Sequence, residues 1–247
     1  MSLVPGSPFL THIGIDESRV VPGRHPFEIP ILKNRLDVSL TNPVTFLVGE
    51  NGSGKSTLLE ALAWRLGFGL HGGNRDHAFE ESVDGHALGR ALDLRWRQRT
   101  TTGFFLRAET FFNFATRLED VGSSFSRYGG KPFHAQSHGE AFLSLFEHRF
   151  EDGVYLLDEP EAALSPQRQL AFLRIIHQLT TPKIAQFIIA THSPMLLAFP
   201  GATVLSFDDG RIHEVPYDET PHFQLTRDFL ASPERYFRYL FDQSNDA

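Results

Sequence analysis

Val44-Thr45-Phe46-Leu47-Val48-Gly49-Glu50-Asn51-Gly52-Ser53-Gly54-Lys55-Ser56-Thr57 begins as an apolar, β-branched run and breaks into glycines, a lysine and three hydroxyls. From Gly49 onward it has the form G-x-x-x-x-G-K-[ST], a phosphate-binding loop set between a buried strand and a helix. Glycines let the backbone take dihedrals that a Cβ forbids, so the chain can wrap closely around a polyphosphate. The N–H groups from Glu50 through Asn51, Gly52, Ser53, Gly54 and Lys55 to Ser56 and Thr57 are then expected to point inward. The N-terminus of the next helix adds its partial positive charge. Lys55 is expected to reach the β- and γ-phosphates, and the Ser56 hydroxyl to ligate Mg²⁺. That helix carries Leu58, Leu62 and Leu66 on one face, with Gly67 as its stop.

A second apolar strand, Val154-Tyr155-Leu156-Leu157, delivers Asp158 and Glu159 at its C-terminal end. In a parallel sheet that end is where ligands bind. Asp158 is placed to hold Mg²⁺ through a water, and Glu159 to orient or deprotonate an attacking water. An apolar run ending in acids says little alone. It gains meaning beside Lys55, because both strands would then end at one metal. His192 follows a third buried strand, Ile184 to Ala190, from which its imidazole can reach a γ-phosphate.

Around this frame, the spacing from Ile13 to Val21 predicts a short strand ending at Pro22-Gly23. Phe27 to Leu32, broken by Pro26 and Pro30, reads as an edge or extended segment. Leu36 to Leu40 alternates as a half-buried strand. His71 to Arg90 reads as a loop, and His71, His77 and His86 as solvated side chains rather than metal ligands. Leu92 to Arg99 alternates apolar residues with Arg95, Arg97 and Arg99. This reads as an edge strand whose arginines discourage pairing, in preference to a strip for a phosphate backbone.

Gly103 to Ala108 is a further strand, Glu109 to Arg117 a helix, and Gly122 to Ser137 a loop. Gly139 to Phe150 is a helix with Phe142, Phe146 and Phe150 four apart. Ser165 caps a helix that opens on Pro166 and runs to Leu179. Thr203 to Phe207 and Arg211 to Val215 form a hairpin around Asp208-Asp209-Gly210. From Pro221 two aromatic-rich helices follow. Packing against the domain is the default for Tyr236 to Phe241, and a partner surface the alternative. There are no internal repeats and no heptads, hence no coiled-coil arm.

The 247 residues suffice for one large domain with a sizeable core. The longest apolar runs, such as Phe187 to Ala190, are only a few residues, which excludes a bilayer-spanning helix and direct membrane insertion. No charged-then-apolar signal segment opens the chain. Zero cysteines exclude disulfides and thiolate metal sites and agree with a reducing cytoplasm. A net charge of −7 leans away from a generic nucleic-acid binder.

Taken together, Gly49 to Thr57, Gln136-Ser137-His138-Gly139-Glu140, Asp158-Glu159-Pro160-Glu161, Ala163-Leu164-Ser165 and Ala190-Thr191-His192-Ser193-Pro194 resemble the ABC-type ATPases in kind and order. They look like that family's phosphate loop, signature, metal-binding acid pair, D-loop and switch histidine. The wording is closest to the stand-alone predicted ATPases of the RecF/SMC-like branch, AAA family members in the broad sense. His138 and Glu140 depart from the glycine and glutamine common in transporter signatures.

The resemblance implies one α/β domain over residues 1–247, with the fold of a P-loop NTPase of ABC-ATPase type. A mainly parallel central sheet with flanking helices would be joined by an antiparallel β subdomain. A small helical subdomain, roughly residues 109–150, would carry the signature. It also implies a composite site made by two copies. Lys55, Ser56, Asp158, Glu159 and His192 of one chain would hold MgATP, and Ser137 and Gly139 of the other would close over it. Either Glu109 or Gln98 would stand for the family's conserved glutamine, with Glu109 the candidate metal ligand. Phe27 is the candidate adenine-stacking aromatic, with packing the alternative.

The implied activity is ATP hydrolysis by a cytoplasmic, ATP-dependent homodimer that acts as a switch on a protein or nucleic-acid partner. The alternative is an ATP-binding subunit that energises a membrane transporter, with a membrane subunit docking near Glu109.

Overall fold

The computed structural model describes residues 6–33, 36–69, 87–109, 111, 138–149 and 152–241. Its centre is a six-stranded sheet built from β-branched and aromatic runs too apolar to face water. Five strands are parallel; in sequence order they are β3 (Val44–Val48), β5 (Gly103–Arg107), β6 (Gly153–Asp158), β7 (Ala185–Ala190) and β8 (Thr203–Ser206). They lie in the order β5-β6-β7-β3-β8, and β9 (His213–Glu214) closes the edge antiparallel to β8. Every residue of β3, β6 and β7 is buried, as expected for strands covered on both faces.

The period of two divides these side chains between two cores. Phe46, Tyr155, Leu157, Phe187 and Ile189 face one side, where α4 (His138–Arg149), α5 (Pro166–Thr180) and α6 (Pro194–Leu197) pack. Leu47, Leu156, Ile188 and Ala190 face the other. There they meet α1 (Pro30–Lys33), α2 (Lys55–Leu66), α3 (Ala87–Ala91) and a second sheet. On the first side Phe146 sits 4.8 Å from both Phe142 and Phe172, and Phe111 5.2 Å from Phe142, centroid to centroid. Such aromatic pairs add about 0.5–1.5 kcal/mol each beyond area burial, enough to pin α4 against α5. Phe150, the third member of that spacing, lies outside the described residues.

The second sheet is three-stranded and antiparallel, in the order β2-β1-β4, with β1 at Leu10–Ile15, β2 at Asp37–Ser39 and β4 at Leu92–Trp96. It is joined to the central sheet through Gln186 on β7. The buried amide accepts from Leu10 N–H at 2.9 Å and donates to Leu10 C=O at 2.8 Å. The chain ends, within the described residues, in α7 (Pro221–Ala231) and α8 (Pro233–Phe241).

Several sequence expectations are corrected. The strand expected to run to Val21 ends at Ile15 and is followed by a 3₁₀ turn at Glu17–Arg19, capped by the Asp16 carboxylate. Phe27 to Leu32 is not extended: Pro30 opens α1, since proline is tolerated where a helix has no use for the N–H. The expected loop up to Arg90 yields α3 at Ala87–Ala91, packed on α2 with Leu88, Gly89 and Ala91 buried. The histidines at 71, 77 and 86 lie outside the described residues. β4 stops at Trp96, so Arg97 and Arg99 are not on a strand face. Ser165 precedes α5 but makes no side-chain cap, leaving Pro166 as the start signal. The helix expected over Glu109 to Arg117 is described only in part, with helical backbone at Ala108–Glu109 and Phe111.

Candidate functional site

Because β3, β6, β7 and β8 run parallel, their C-terminal ends emerge on one edge of the sheet. There a cleft of about 890 Å³ opens. One wall is the loop after β3, contributing Glu50, Asn51, Gly52, Gly54, Lys55, Ser56 and Thr57. Glu109, Glu159, His192, His25, Ile29 and His222 complete the lining. Ser53 lies on an adjoining groove with Asp208.

The loop takes the shape its glycines allow. Gly54, at φ 103°, is the residue before α2, and a Cβ there would stand 2.9 Å from Ile29 Cγ2. No other residue type fits without strain. Lys55 is almost fully buried, with its ammonium held by Gly49 C=O at 2.6 Å, Glu50 C=O at 3.0 Å and Ser53 Oγ at 3.3 Å. Burial lowers its pKa, and the surrounding carboxylates, Glu159 foremost, oppose that. Glu50 N–H donates to Asp208 Oδ1 at 2.9 Å, so the turn after β8 braces the loop from outside.

The acid pair lies beside this loop. Ser56 Oγ donates to Asp158 Oδ1 at 3.1 Å. The other oxygen, Oδ2, accepts from Arg107 Nε at 2.9 Å, while Arg107 Nη2 pairs with Glu60 at 2.5 Å. Burial works against the Arg107 charge, but Asp158 and Glu60 outweigh it and hold the guanidinium above its ordinary pKa. Glu159 has φ 50°, the left-handed region that a residue with a Cβ rarely adopts, and its N–H is fixed by Ala190 C=O at 2.9 Å. That turn directs the side chain off the end of β6 into the cleft.

His192 places Nε2 3.6 Å from Glu159 Oε1. Its own N–H donates to the buried Glu161 carboxylate at 2.6 Å. Burial raises the Glu161 pKa, opposed by that hydrogen bond. Burial also lowers the His192 pKa, helped by Lys55 and His222 and opposed by Glu159 and Glu50, so its surroundings favour the neutral ring. Ser193 Oγ donates to Gln169 at 2.5 Å, tying the segment after β7 to α5.

Ser56 and Asp158 are hard oxygen donors in contact, which suits Mg²⁺: that ion takes one or two protein oxygens and leaves the rest to waters and phosphates. Among the described residues no group of three or more His, Cys, Asp or Glu forms an all-protein metal cage.

Lys55, Ser56, Asp158, Glu159 and His192 thus converge, and Glu109 joins them in the cleft. Gln98 is exposed in a bend after β4 and Phe27 is 4% exposed within the core; neither lines the cleft, and His25 and Ile29 stand there instead. Ser137 lies outside the described residues. Gly139, near the start of α4, is buried in its own chain, where a Cβ would meet Arg168 at 2.7 Å and Ala163 C=O at 3.1 Å. It is not among the residues lining this cleft.

Sequence reading missed Arg107, Asp208 and His222 and quoted Glu161 without giving it a role. The first could have been sought as a charge ending a strand beside β6, and Asp208 as an acid ending β8. Nothing local marked His222.

Comparison with known proteins bears on the family and the fold. A model described as an AAA domain matches residues 27–95. Another AAA-domain model, whose description names as a candidate the AbiEii toxin of a type IV TA system, matches residues 135–198. The hemin import ATP-binding protein HmuV of Nocardia farcinica (strain IFM 10152) is 30% identical over 213 residues, covering 76% of this chain and 70% of its own. The thiamine import ATP-binding protein ThiQ of Rhizobium meliloti (strain 1021) is 27% identical over 205 residues, covering 76% and 84%. A solved ATP-binding cassette of an ABC transporter superposes with a TM-score of 0.51 at 15% identity, covering 93% of this chain and 98% of its own. That last likeness speaks for the fold.

Proposed function

The chain belongs to the ABC-type P-loop ATPases, and from that premise we propose that it binds MgATP in the cleft at Lys55, hydrolyses it, and works as an ATP-dependent homodimeric switch. The observation that carries this is the 3.1 Å contact between Ser56 Oγ and Asp158 Oδ1, which joins loop and acid pair at one point. Lys55 exchanges its bonds to loop carbonyls for the β- and γ-phosphates, with the N–H groups of Glu50 to Thr57 supplying the rest of the cradle. Ser56 and Asp158, with Glu109 beside them, are the residues that would hold Mg²⁺. When bound, that ion neutralises charge developing on the phosphate oxygens.

Glu159 orients the attacking water and takes its proton, and His192 donates to the γ-phosphate. Ser137 and Gly139 of a second copy close the site, so ATP stabilises the dimer by contacting both halves only when they meet.

The test is ATP turnover by the full chain with Mg²⁺ and with EDTA, followed by Glu159→Gln. The variant is expected to lose about 100-fold or more of turnover and to elute as a dimer in MgATP. A variant that stays monomeric at saturating MgATP counts against the two-copy site.

A second reading has a specific support: curated relatives are import ATP-binding proteins. As such a subunit the chain would energise a membrane partner, and it would co-purify with an integral membrane protein. As a stand-alone cytoplasmic switch of the RecF/SMC-like kind, its turnover would instead respond to DNA, RNA or a soluble protein.

A further inference from the structure

One contact at the cleft has no part in the steps above. His192 Nδ1 and His222 Nε2 lie 2.7 Å apart, and the two rings are 4.6 Å apart at their centroids. His222 is the second residue of α7, whose first turn is fixed by Thr220. The Thr220 hydroxyl accepts from Phe223 N–H and donates to Tyr217 C=O at 2.6 Å. His222 is thus held by a segment that contributes no other residue to the cleft lining.

A neutral imidazole has one donor and one acceptor nitrogen, and its neighbours select which is which. Suppose His192 donates from Nδ1. Its Nε2 lone pair then faces Glu159 Oε1 at 3.6 Å, a repulsive arrangement. His222 would also carry a proton on Nδ1, an atom that is buried without a hydrogen-bond partner among the described residues. Suppose instead that His222 donates from Nε2. His192 then carries its proton on Nε2, directed at the carboxylate, and the orphan on His222 is an acceptor. Either way one buried donor and one buried acceptor go unpaired, since His192 Nε2 also lacks a hydrogen-bond partner among the described residues. The approach to the Glu159 carboxylate decides, and the attractive orientation prevails.

We propose that His222 is a positioning residue for His192: its Nε2–H fixes the His192 ring as the Nε2–H tautomer, with the proton aimed into the cleft beside Glu159. The value of that proton to catalysis rests on reading the cleft as an ATPase site; the tautomer does not.

The test uses the full chain with ¹⁵N-labelled imidazoles at neutral pH, read by long-range ¹H–¹⁵N correlation. His192 is expected in the Nε2–H form in the wild type, mixed in His222→Phe, and restored in His222→Gln, whose amide N–H reaches the same donor position. His222→Ala is a second variant without a donor, so a folding defect in the phenylalanine variant leaves the question answerable. In parallel, kcat for ATP is expected to fall about 10-fold in the donor-less variants and to recover in His222→Gln, as for other outer partners that orient a histidine. KM is expected to stay within about twofold, because uniform binding is untouched.

A wild-type His192 protonated on Nδ1, or one unchanged by His222→Phe and His222→Ala, overturns the assignment. So does unchanged kcat in variants whose tautomer has shifted. A wild type with the expected tautomer and no ATP turnover removes the ATPase reading and leaves the tautomer assignment standing.

Discussion

The two sheets each carry an aspartate–arginine pair, and the pairs mean different things. At the end of β6, Asp158 is 4% exposed at its side chain and meets Arg107 at 2.9 Å. On β4, Asp93 and Arg95 are 56% and 70% exposed and stand 3.9 Å apart. The parallel sheet is covered on both faces, so charge is tolerated only at strand ends, where each group must find partners or bind something. The antiparallel sheet has one face in water, where charges are solvated and keep an edge from pairing. Position in the fold, more than residue type, separates a site from a surface.

The sharpest way to break this contrast is at Lys55, the buried cation at the site end. Lys55→Ala removes the main positive charge from the phosphate cradle. Charge-assisted hydrogen bonds to phosphate are the strong class, so MgATP affinity is expected to drop by about 100-fold or more, roughly 3 kcal/mol. Calorimetry returning an unchanged affinity would remove Lys55 from the site, and with it the claim that buried strand ends carry the chemistry.

The joint between the sheets offers the next largest effect, on stability alone. Gln186→Leu keeps the volume but leaves Leu10 N–H and C=O buried without the amide that serves both. Two orphaned backbone groups are expected to cost on the order of 3 kcal/mol, seen as a lower melting temperature with nucleotide affinity nearly unchanged. If melting is unaffected, the antiparallel sheet is held by its apolar face and Gln186 is incidental.

How far the sequence carried the reading follows the same division. Lys55, Ser56, Asp158, Glu159 and His192 were legible because each follows a buried strand, and parallel strands deliver their ends to one edge whatever joins them. Arg107, Asp208 and His222 were not, because their roles depend on neighbours 51, 158 and 30 residues away in the chain, a matter of tertiary packing. Short elements misled for a local reason. α1 and α3 are four and five residues long, below the length at which a helical period can be seen. Phe27 was the adenine-stacking candidate that the resemblance implied, yet it is buried in the core while His25, two residues earlier, lines the cleft.

The smallest expected effect is at Arg95, and it tests the other side of the contrast. Arg95→Ala removes an exposed charge whose nearest acid is 3.9 Å away on its own strand. Surface pairs of this kind contribute about 0–1 kcal/mol, so melting should shift by no more than a degree or two and ATP turnover should not change. Arg97 and Arg99 lie past the end of β4, so the three arginines do not share one strand face. Turnover measured with and without DNA or RNA in wild type and Arg95→Ala decides the matter. A nucleic-acid-dependent rate that the substitution abolishes would make this edge a binding surface, and charge on the half-covered sheet would then have to be read as function as well.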